Sequence, residues 1–174
     1  MNWTIICVLV AFFIYLMYNI TALCMFGIPH SLSRTFYSFQ EKKTWYKVFF
    51  PSMMISVAFL LVFSWLHITN GNDLQFLAFL SSIGLMFTGA APSFMRSKLE
   101  NNVHTGSAIF SVICALLWVI FAAKLFYVLI ICFMIILLIA LVTNTLIKAW
   151  TYWLETASII TTFISIILYY FNNL

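Results

Sequence analysis

The run VLIICFMIILLIALV at residues 128–142 decides the fold, because its fifteen consecutive residues are all apolar. A transmembrane β-strand would instead alternate apolar and polar residues over about ten positions. Within lipid, each backbone N–H group must be satisfied inside its own segment, and a helix achieves this for a single continuous run. The run therefore predicts a membrane-embedded α-helix.

The composition extends this prediction to the whole chain. Of the 174 residues, 65% are hydrophobic and only 7% are charged, whereas soluble domains carry about 25% charged residues. This composition excludes an ordinary soluble enzyme, a disordered chain and a nucleic-acid-binding module. The net charge of +4 is not evidence for nucleic-acid binding, because charges in polytopic membrane proteins mainly report topology.

Six segments of the chain, including the one that contains this run, are each long enough for a membrane span, since crossing about 30 Å of hydrocarbon needs about 20 helical residues. The sequence predicts an all-α bundle of six transmembrane helices in a single transmembrane domain, 1–174. The predicted helices cover about 3–26, 48–66, 74–94, 103–122, 125–147 and 151–171. Only Ala123 and Lys124 separate the fourth and fifth helices, and the sequence leaves open whether they form a true turn.

The longest connection, 27–47, carries a short amphipathic pattern. Ile28, Leu32, Phe36 and Phe39 fall on one helical face. We expect a short interfacial helix between the first and second spans. Its apolar side either lies in the lipid or packs on the bundle as a lid.

The basic residues predict the orientation. With six helices, one side receives Arg34, Lys42, Lys43, Lys47, Arg96, Lys98 and Lys148, and the other receives only Lys124. This asymmetry places the first side in the cytoplasm, so both ends of the chain are expected on the non-cytoplasmic side, with a bacterial inner membrane as the location. Aromatic residues expected at the inner interface are Trp45, Tyr46, Trp150, Tyr152 and Trp153, and those at the outer interface are Trp3, Trp65, Tyr169 and Tyr170.

The third predicted helix is rich in small residues, among them Ser81, Gly84 and Thr88. Small faces allow close helix packing, so this face either packs within the bundle, lines a substrate path, or binds a second copy or a partner subunit. Pro92 lacks an N–H group and would leave the carbonyl of Thr88 without its helical donor. Either the free carbonyl would line a polar pocket at this bend, or the proline would simply end the span.

Polar residues gather at the predicted cytoplasmic mouth, where ionisable groups near or within spans are functional candidates. The candidate ligand-binding residues are Ser33, Arg34, Arg96, His104, Lys148 and Glu155. Their basic excess suits an anionic headgroup or solute, with membrane lipids as expected partners. Alternatively, Glu155 and Lys148 stabilise helix ends through the helix dipole or pair with each other.

Catalytic patterns are sparse. A hydroxyl of Ser31 or Ser33 with His104 is conceivable and predicts a pocket with the hydroxyl within hydrogen-bond reach of the imidazole. His67 is predicted on the opposite side from the other two histidines, which excludes a three-histidine zinc site. No metal, cofactor or nucleic-acid partner is expected.

The chain is therefore interpreted as a non-enzymatic protein that binds or passes a small anionic or amphiphilic ligand. The alternatives are an intramembrane hydrolase acting on a lipid, and an accessory subunit or oligomeric pore.

Three segments carry a family resemblance. GIPHSLSRTFY at 27–37, SSIGLMFTGAAPSF at 81–94 followed by VHTGSAIF at 103–110, and the Trp153 and Glu155 pair resemble a family of uncharacterised six-helix bacterial integral membrane proteins. The resemblance implies the six-helix fold and no settled activity. It singles out Ser31, Ser33, Pro92, His104 and Glu155.

A more distant resemblance, in a serine, an acid and histidines at membrane ends, is to the alkaline ceramidase and adiponectin-receptor superfamily of seven-helix zinc hydrolases. This chain departs from that pattern in lacking two of the zinc-ligand histidines and one helix.

Overall fold

The computed structural model describes residues 3–173, and every regular element within that range is helical. The helices are α1 (Trp3–Phe26), α2 (Thr35–Lys42), α3 (Phe49–Ile68), α4 (Gln75–Ala90), α5 (Lys98–Leu117), α6 (Phe126–Val142) and α7 (Trp150–Asn172). A 3-10 turn over Thr44–Val48 leads into α3, and a π-helical turn over Trp118–Ala122 extends α5. The prediction of an all-α fold is confirmed.

Within residues 3–173, four helical segments are long and apolar enough to cross a membrane: Trp3–Phe26, Thr44–Ile68, Lys98–Ala122 and Trp150–Asn172. At 1.5 Å per residue, segments of this size are about 34–38 Å long, which exceeds a hydrocarbon core of about 30 Å. The outer surface of the bundle exposes large apolar side chains such as Phe59, Phe63, Ile131 and Leu138. Such a surface is the one that lipid solvates, so the chain has the build of a membrane protein.

Helix α7 contacts α1, α3, α5 and α6. Helix α4 packs between α3 and α5, and α1 packs along α3. Helix α6 lies at the periphery against α7, burying a single stripe at four-residue spacing: Val128, Cys132, Ile136 and Ala140. The continuous apolar run at 128–142 therefore belongs to the helix that exposes the most large apolar side chains among the described residues.

Two helix ends next to Pro92 differ from the prediction. Helix α4 ends at Ala90 rather than at residue 94, because the proline cannot continue the hydrogen-bond ladder. Helix α5 begins at Lys98 rather than at residue 103, and the Ser97 hydroxyl accepts a hydrogen bond from the Glu100 N–H at 3.1 Å. The predicted start was wrong because it overlooked this Ser-x-x-Glu capping pattern.

A residue in the left-handed conformation lies in the turn on each side of α6. Lys124 adopts a left-handed conformation with φ of 56°, so a true turn separates α5 and its π-helical extension from α6. Helix α6 ends at Val142, five residues before the predicted end, and Asn144 has φ of 53°. Asparagine tolerates this conformation better than most residues, which accounts for the earlier stop.

The connection between α1 and α3 packs on the bundle as a lid, which is one of the two arrangements that the sequence predicts for it. Leu32, Phe36 and Phe39 are all buried, and the Phe39 ring meets the rings of Phe26 and Phe49. The apolar face of α2 is thus covered by protein rather than by lipid.

Two of the aromatic residues predicted at the membrane interfaces are inside the bundle instead. Trp65 and Tyr152 are both buried. The Trp65 ring packs edge-on against Trp118 with centroids 5.1 Å apart, and the Tyr152 hydroxyl donates to Asn19 Oδ1 at 3.2 Å. The latter bond joins α7 to α1.

The small face of α4 packs against α5. Ser111 Oγ donates to the Ser81 carbonyl at 2.7 Å, and the hydroxyls of Thr88 and Ser107 lie 2.9 Å apart. Gly84 lies between these contacts and is buried. The three residues proposed for partner binding are therefore covered within the chain, while the expectation of an oligomer or partner subunit stays a prediction.

We predict that Gly84→Ala destabilises the protein by about 1–3 kcal/mol, the usual cost of overpacking. A Cβ at residue 84 would lie 2.8 Å from Ser111 Cβ and 3.0 Å from the Ser107 carbonyl oxygen. The matched control is Gly106→Ala on α5, where nothing lies within 4 Å of the added carbon. Thermal unfolding in detergent should show a lower midpoint for the first variant and an unchanged or slightly higher one for the second. Equal midpoints for both variants would contradict the close α4–α5 packing.

Candidate functional site

The segment between α1 and α2 is tied to the start of α7 by three hydrogen bonds. The His30 carbonyl accepts from the Tyr152 N–H at 3.2 Å, and His30 Nδ1 lies 2.6 Å from the Lys148 carbonyl. The Leu32 N–H donates to Glu155 Oε2 at 2.6 Å. Gly27, with φ of 70°, ends α1 and turns the chain towards these partners. The segment consequently lies over the ends of α5 and α7.

His104, near the start of α5, is held in one orientation. Its Nδ1 lies 3.0 Å from the carbonyl oxygens of both Thr88 and Ala91. A carbonyl can only accept a hydrogen bond, so Nδ1 carries the hydrogen. The Thr88 carbonyl is open to this contact because Pro92, four residues later, has no N–H to offer it. The ring also stacks on Phe94, with centroids 4.5 Å apart.

The other imidazole nitrogen is bonded to Ser33. With hydrogen on Nδ1, the neutral ring presents Nε2 as an acceptor. The Ser33 hydroxyl lies 2.7 Å from Nε2 and donates to it. Both side chains are buried. This is the hydroxyl-to-imidazole contact that the sequence interpretation of a hydrolase predicts.

Ser33 and His104 lie at the polar end of a cavity of about 480 Å³ between α5 and α7, which we name the lateral cavity. Ser31 and Glu155 line the same end. The rest of the wall is mainly apolar and includes Ile109, Val112, Ile113, Trp150 and Leu154. Ile109 and Ile113 are 56% and 51% exposed on the bundle surface. The cavity therefore opens sideways, in the direction where lipid would lie.

A second cavity of about 390 Å³ adjoins the first, and we name it the basic cavity. Its polar lining consists of His30, Ser31, Arg34, Lys148 and Thr151, and its apolar lining consists of Ile147 and Trp150. Ser31, Trp150 and Thr151 line both cavities, so the two are neighbours with a common wall.

The structure brings together part of the site that the sequence predicts. Ser33, His104 and Glu155 meet in the lateral cavity, while Arg34 and Lys148 line the basic cavity. Arg96 is exposed and lines neither cavity. In the described residues, Glu155 is held by the Leu32 amide and not by Lys148, so the predicted ion pair across the turn is absent.

Sequence reasoning missed the apolar wall of the lateral cavity. His104, Ala108 and Val112 recur at four-residue spacing and all line it. That spacing puts them on one helical face. The periodicity was visible in the sequence, but in a chain so apolar it does not separate a cavity face from a lipid face.

The lateral cavity is lined by one imidazole, one carboxyl and five hydroxyls. Within residues 3–173, no three histidine, cysteine, aspartate or glutamate side chains are grouped so as to hold a metal ion. No protein-family model matches the chain, and no curated protein or solved structure is significantly similar to it. The two family resemblances stay predictions.

We predict that Glu155→Ala releases the segment around Leu32, whereas Glu155→Gln retains it. The amide of glutamine still offers an oxygen to the Leu32 N–H, but alanine offers none. An intramolecular hydrogen bond contributes about 0.5–1.5 kcal/mol, so local opening should become about two- to tenfold more frequent. The measurement is the rate of trypsin cleavage after Arg34, which is exposed but precedes the buried Thr35.

Cleavage after the exposed Lys98 in the same samples is the internal reference and should not change. If alanine and glutamine variants are cut after Arg34 at the wild-type rate, the Glu155 carboxyl does not hold this segment.

Proposed function

We propose that this protein binds a membrane amphiphile in the lateral cavity, with its polar end against Ser33, His104 and Glu155. The observation that carries the proposal is the sideways opening of a mainly apolar cavity that ends in these three polar groups. A water-soluble ligand would not use the apolar wall. A molecule with an acyl chain and a polar linkage matches both ends.

The size and the chemistry of the cavity support this choice. About 480 Å³ falls within the range of about 300–1,000 Å³ for small-molecule sites. It accommodates a polar linkage and the first part of a chain, while the remainder of the chain extends past Ile109 and Ile113 into the bilayer. Hydroxyls and a carboxyl are suited to the hydroxyl, ester or amide groups that join lipid chains to headgroups.

The proposal includes a topology of six spans, with α4 and α6 crossing in addition to the four longer segments. These two helices have 16 and 17 residues, so they are about 24–26 Å long. Short spans are accommodated by local thinning of the bilayer. Both cavities then lie on the cytoplasmic side of a bacterial inner membrane. Trypsin added to sealed inverted vesicles should cut after Arg34, and cleavage only from the opposite side would reverse this orientation.

We predict that a photoreactive phospholipid with a diazirine in its acyl chain labels Ile109, Ile113 and Leu154. This labelling should fall several-fold when an excess of the same lipid without the diazirine is added, because a bound amphiphile exchanges at a limited number of sites. Peptide mass spectrometry locates the labels.

The lipid-facing residues of α6 are the internal control. Met134 and Leu138 are 60% and 61% exposed, so they should be labelled in proportion to bulk lipid and show no competition. Labelling of α5 and α7 that competes no better than labelling of α6 would mean that the lateral cavity is ordinary lipid-facing surface. Thr105→Trp, at the polar end of the cavity, should reduce the competed labelling, whereas Val103→Trp, on the same helix outside the cavity, should not.

A second candidate function is hydrolysis of an ester in the bound amphiphile, and the Ser33–His104 hydrogen bond favours it. A nucleophilic hydroxyl needs an adjacent base that a third group orients, and here the carbonyls of Thr88 and Ala91 orient the imidazole. Ser33 Oγ would form a bond to the ester carbon while His104 Nε2 takes its proton. The proton then passes to the departing alcohol as the ester bond breaks. Water would release the acyl group from Ser33 in a second step.

We predict that a fluorophosphonate probe forms an adduct on Ser33 if this second function operates. The serine oxygen bonds to phosphorus, fluoride leaves, and the proton goes to His104. Intact-mass measurement should show one adduct on the wild-type protein, none on Ser33→Ala, and at least about a hundredfold slower labelling on His104→Gln, the scale of general-base assistance. Ser38→Ala, at a serine of α2 that lines neither cavity, is the matched control and should react normally. An unreactive wild-type protein that still shows competed lipid labelling would leave binding as its function and exclude the hydrolase.

A further inference from the structure

We infer that the amphiphile carries a phosphate and that this anionic group binds in the basic cavity, beside the chain in the lateral cavity. This inference rests on the proposed function and names the class of its ligand. It concerns a cavity that the proposed binding of the chain and the hydrolytic chemistry do not use.

The lining of the basic cavity has the charge and the donors that a phosphate requires. Arg34 and Lys148 contribute two cations, and no aspartate or glutamate lines the cavity. An arginine guanidinium matches the geometry of phosphate oxygens with paired N–H donors. The hydroxyls of Ser31 and Thr151 add two uncharged donors.

Local structure holds this lining in place. The Arg34 N–H donates to Ser31 Oγ at 3.2 Å, and the His30 ring is bonded to the Lys148 carbonyl at 2.6 Å. The two basic residues, although distant in sequence, are thus joined through the hydrogen bonds of their neighbours. Helix α7 begins at the edge of the cavity, at Trp150, without a side-chain cap, so its dipole also favours a negative charge there.

The two adjoining cavities suit different chemical groups of one ligand molecule. Ser31, Trp150 and Thr151 are common to both, so a ligand that passes this shared wall occupies both cavities at once. The lateral cavity contains the Glu155 carboxyl, which disfavours a phosphate beside it. The basic cavity contains no such group. A phosphate among the cations with its ester linkage near Ser33 satisfies both conditions.

The test compares three probes on the purified full chain in detergent. Dioctanoyl phosphatidic acid has both chains and phosphate, dioctanoylglycerol has the same chains without phosphate, and glycerol 3-phosphate has phosphate without chains. Native mass spectrometry measures the dissociation constant of each. We expect phosphatidic acid to bind at least about tenfold more tightly than dioctanoylglycerol, because two basic residues attract its phosphate. We expect glycerol 3-phosphate, which lacks the chains, to compete weakly.

Two double variants decide whether the basic cavity is responsible. Arg34→Gln with Lys148→Gln should bind phosphatidic acid no better than dioctanoylglycerol, while its affinity for dioctanoylglycerol stays the same. Arg96→Gln with Lys98→Gln removes the same charge from two exposed residues that line neither cavity, and it should behave as wild type.

The outcomes separate this inference from the proposed function. Equal affinity of the wild type for the two lipids overturns the anionic headgroup but retains the lateral cavity as a binding site. Equal losses in both double variants also overturn it, because they indicate general surface attraction. Glycerol 3-phosphate binding as tightly as phosphatidic acid would assign the basic cavity to a free phosphate ester instead. If neither lipid binds, the proposed function itself fails.

Discussion

The hydrogen bonds of His104 hold together three parts of the chain that the sequence keeps far apart. Its Nδ1 reaches the last turn of α4, and its Nε2 reaches Ser33 in the segment after α1. The ring is buried, and a buried polar group is costly unless its hydrogen bonds are made. Pro92 is the origin of this arrangement, because it leaves the Thr88 carbonyl open for a partner outside the helix. The position of Ser33, and with it the polar end of the lateral cavity, follows from this imidazole.

Helix α7 completes the other half of the site. Glu155 accepts from the Leu32 amide, and Tyr152 bonds both to the His30 carbonyl and to Asn19. The segment after α1 is consequently held from two sides, by α5 through His104 and by α7 through Glu155. These two helices separate enough below it to leave the lateral cavity between them. The same polar groups therefore join the helices and line the lateral cavity. Each of these buried groups has a hydrogen-bond partner within the protein and can still contact a ligand.

The two cavities also differ in a way that charge alone explains. The carboxyl group is in the mainly apolar lateral cavity, and the cations are in the more polar basic cavity. In a low-dielectric environment an uncompensated charge is expensive, whereas near the aqueous interface it is tolerated. The cationic groups accordingly line the polar cavity, and the carboxyl of the mainly apolar cavity is held by a backbone amide. This separation of the cations from the carboxyl would also separate the parts of a bound lipid, with its anionic group in the basic cavity and its uncharged polar group in the lateral cavity.

The sequence by itself determined the all-helical class and the presence of several long apolar helices, because hydrocarbon accepts only runs whose backbone is internally bonded. It also singled out Ser33, His104 and Glu155, since polar residues are conspicuous in so apolar a chain. It did not separate Arg34 and Lys148 into their own cavity or remove Arg96 from the site. Nor did it show that the small face of α4 is covered by α5, or that the apolar face of α2 is covered by the bundle. An apolar side chain looks the same in sequence whether it faces lipid, a neighbouring helix or a cavity, so only the tertiary packing of α5 against α7 decided where the site lies.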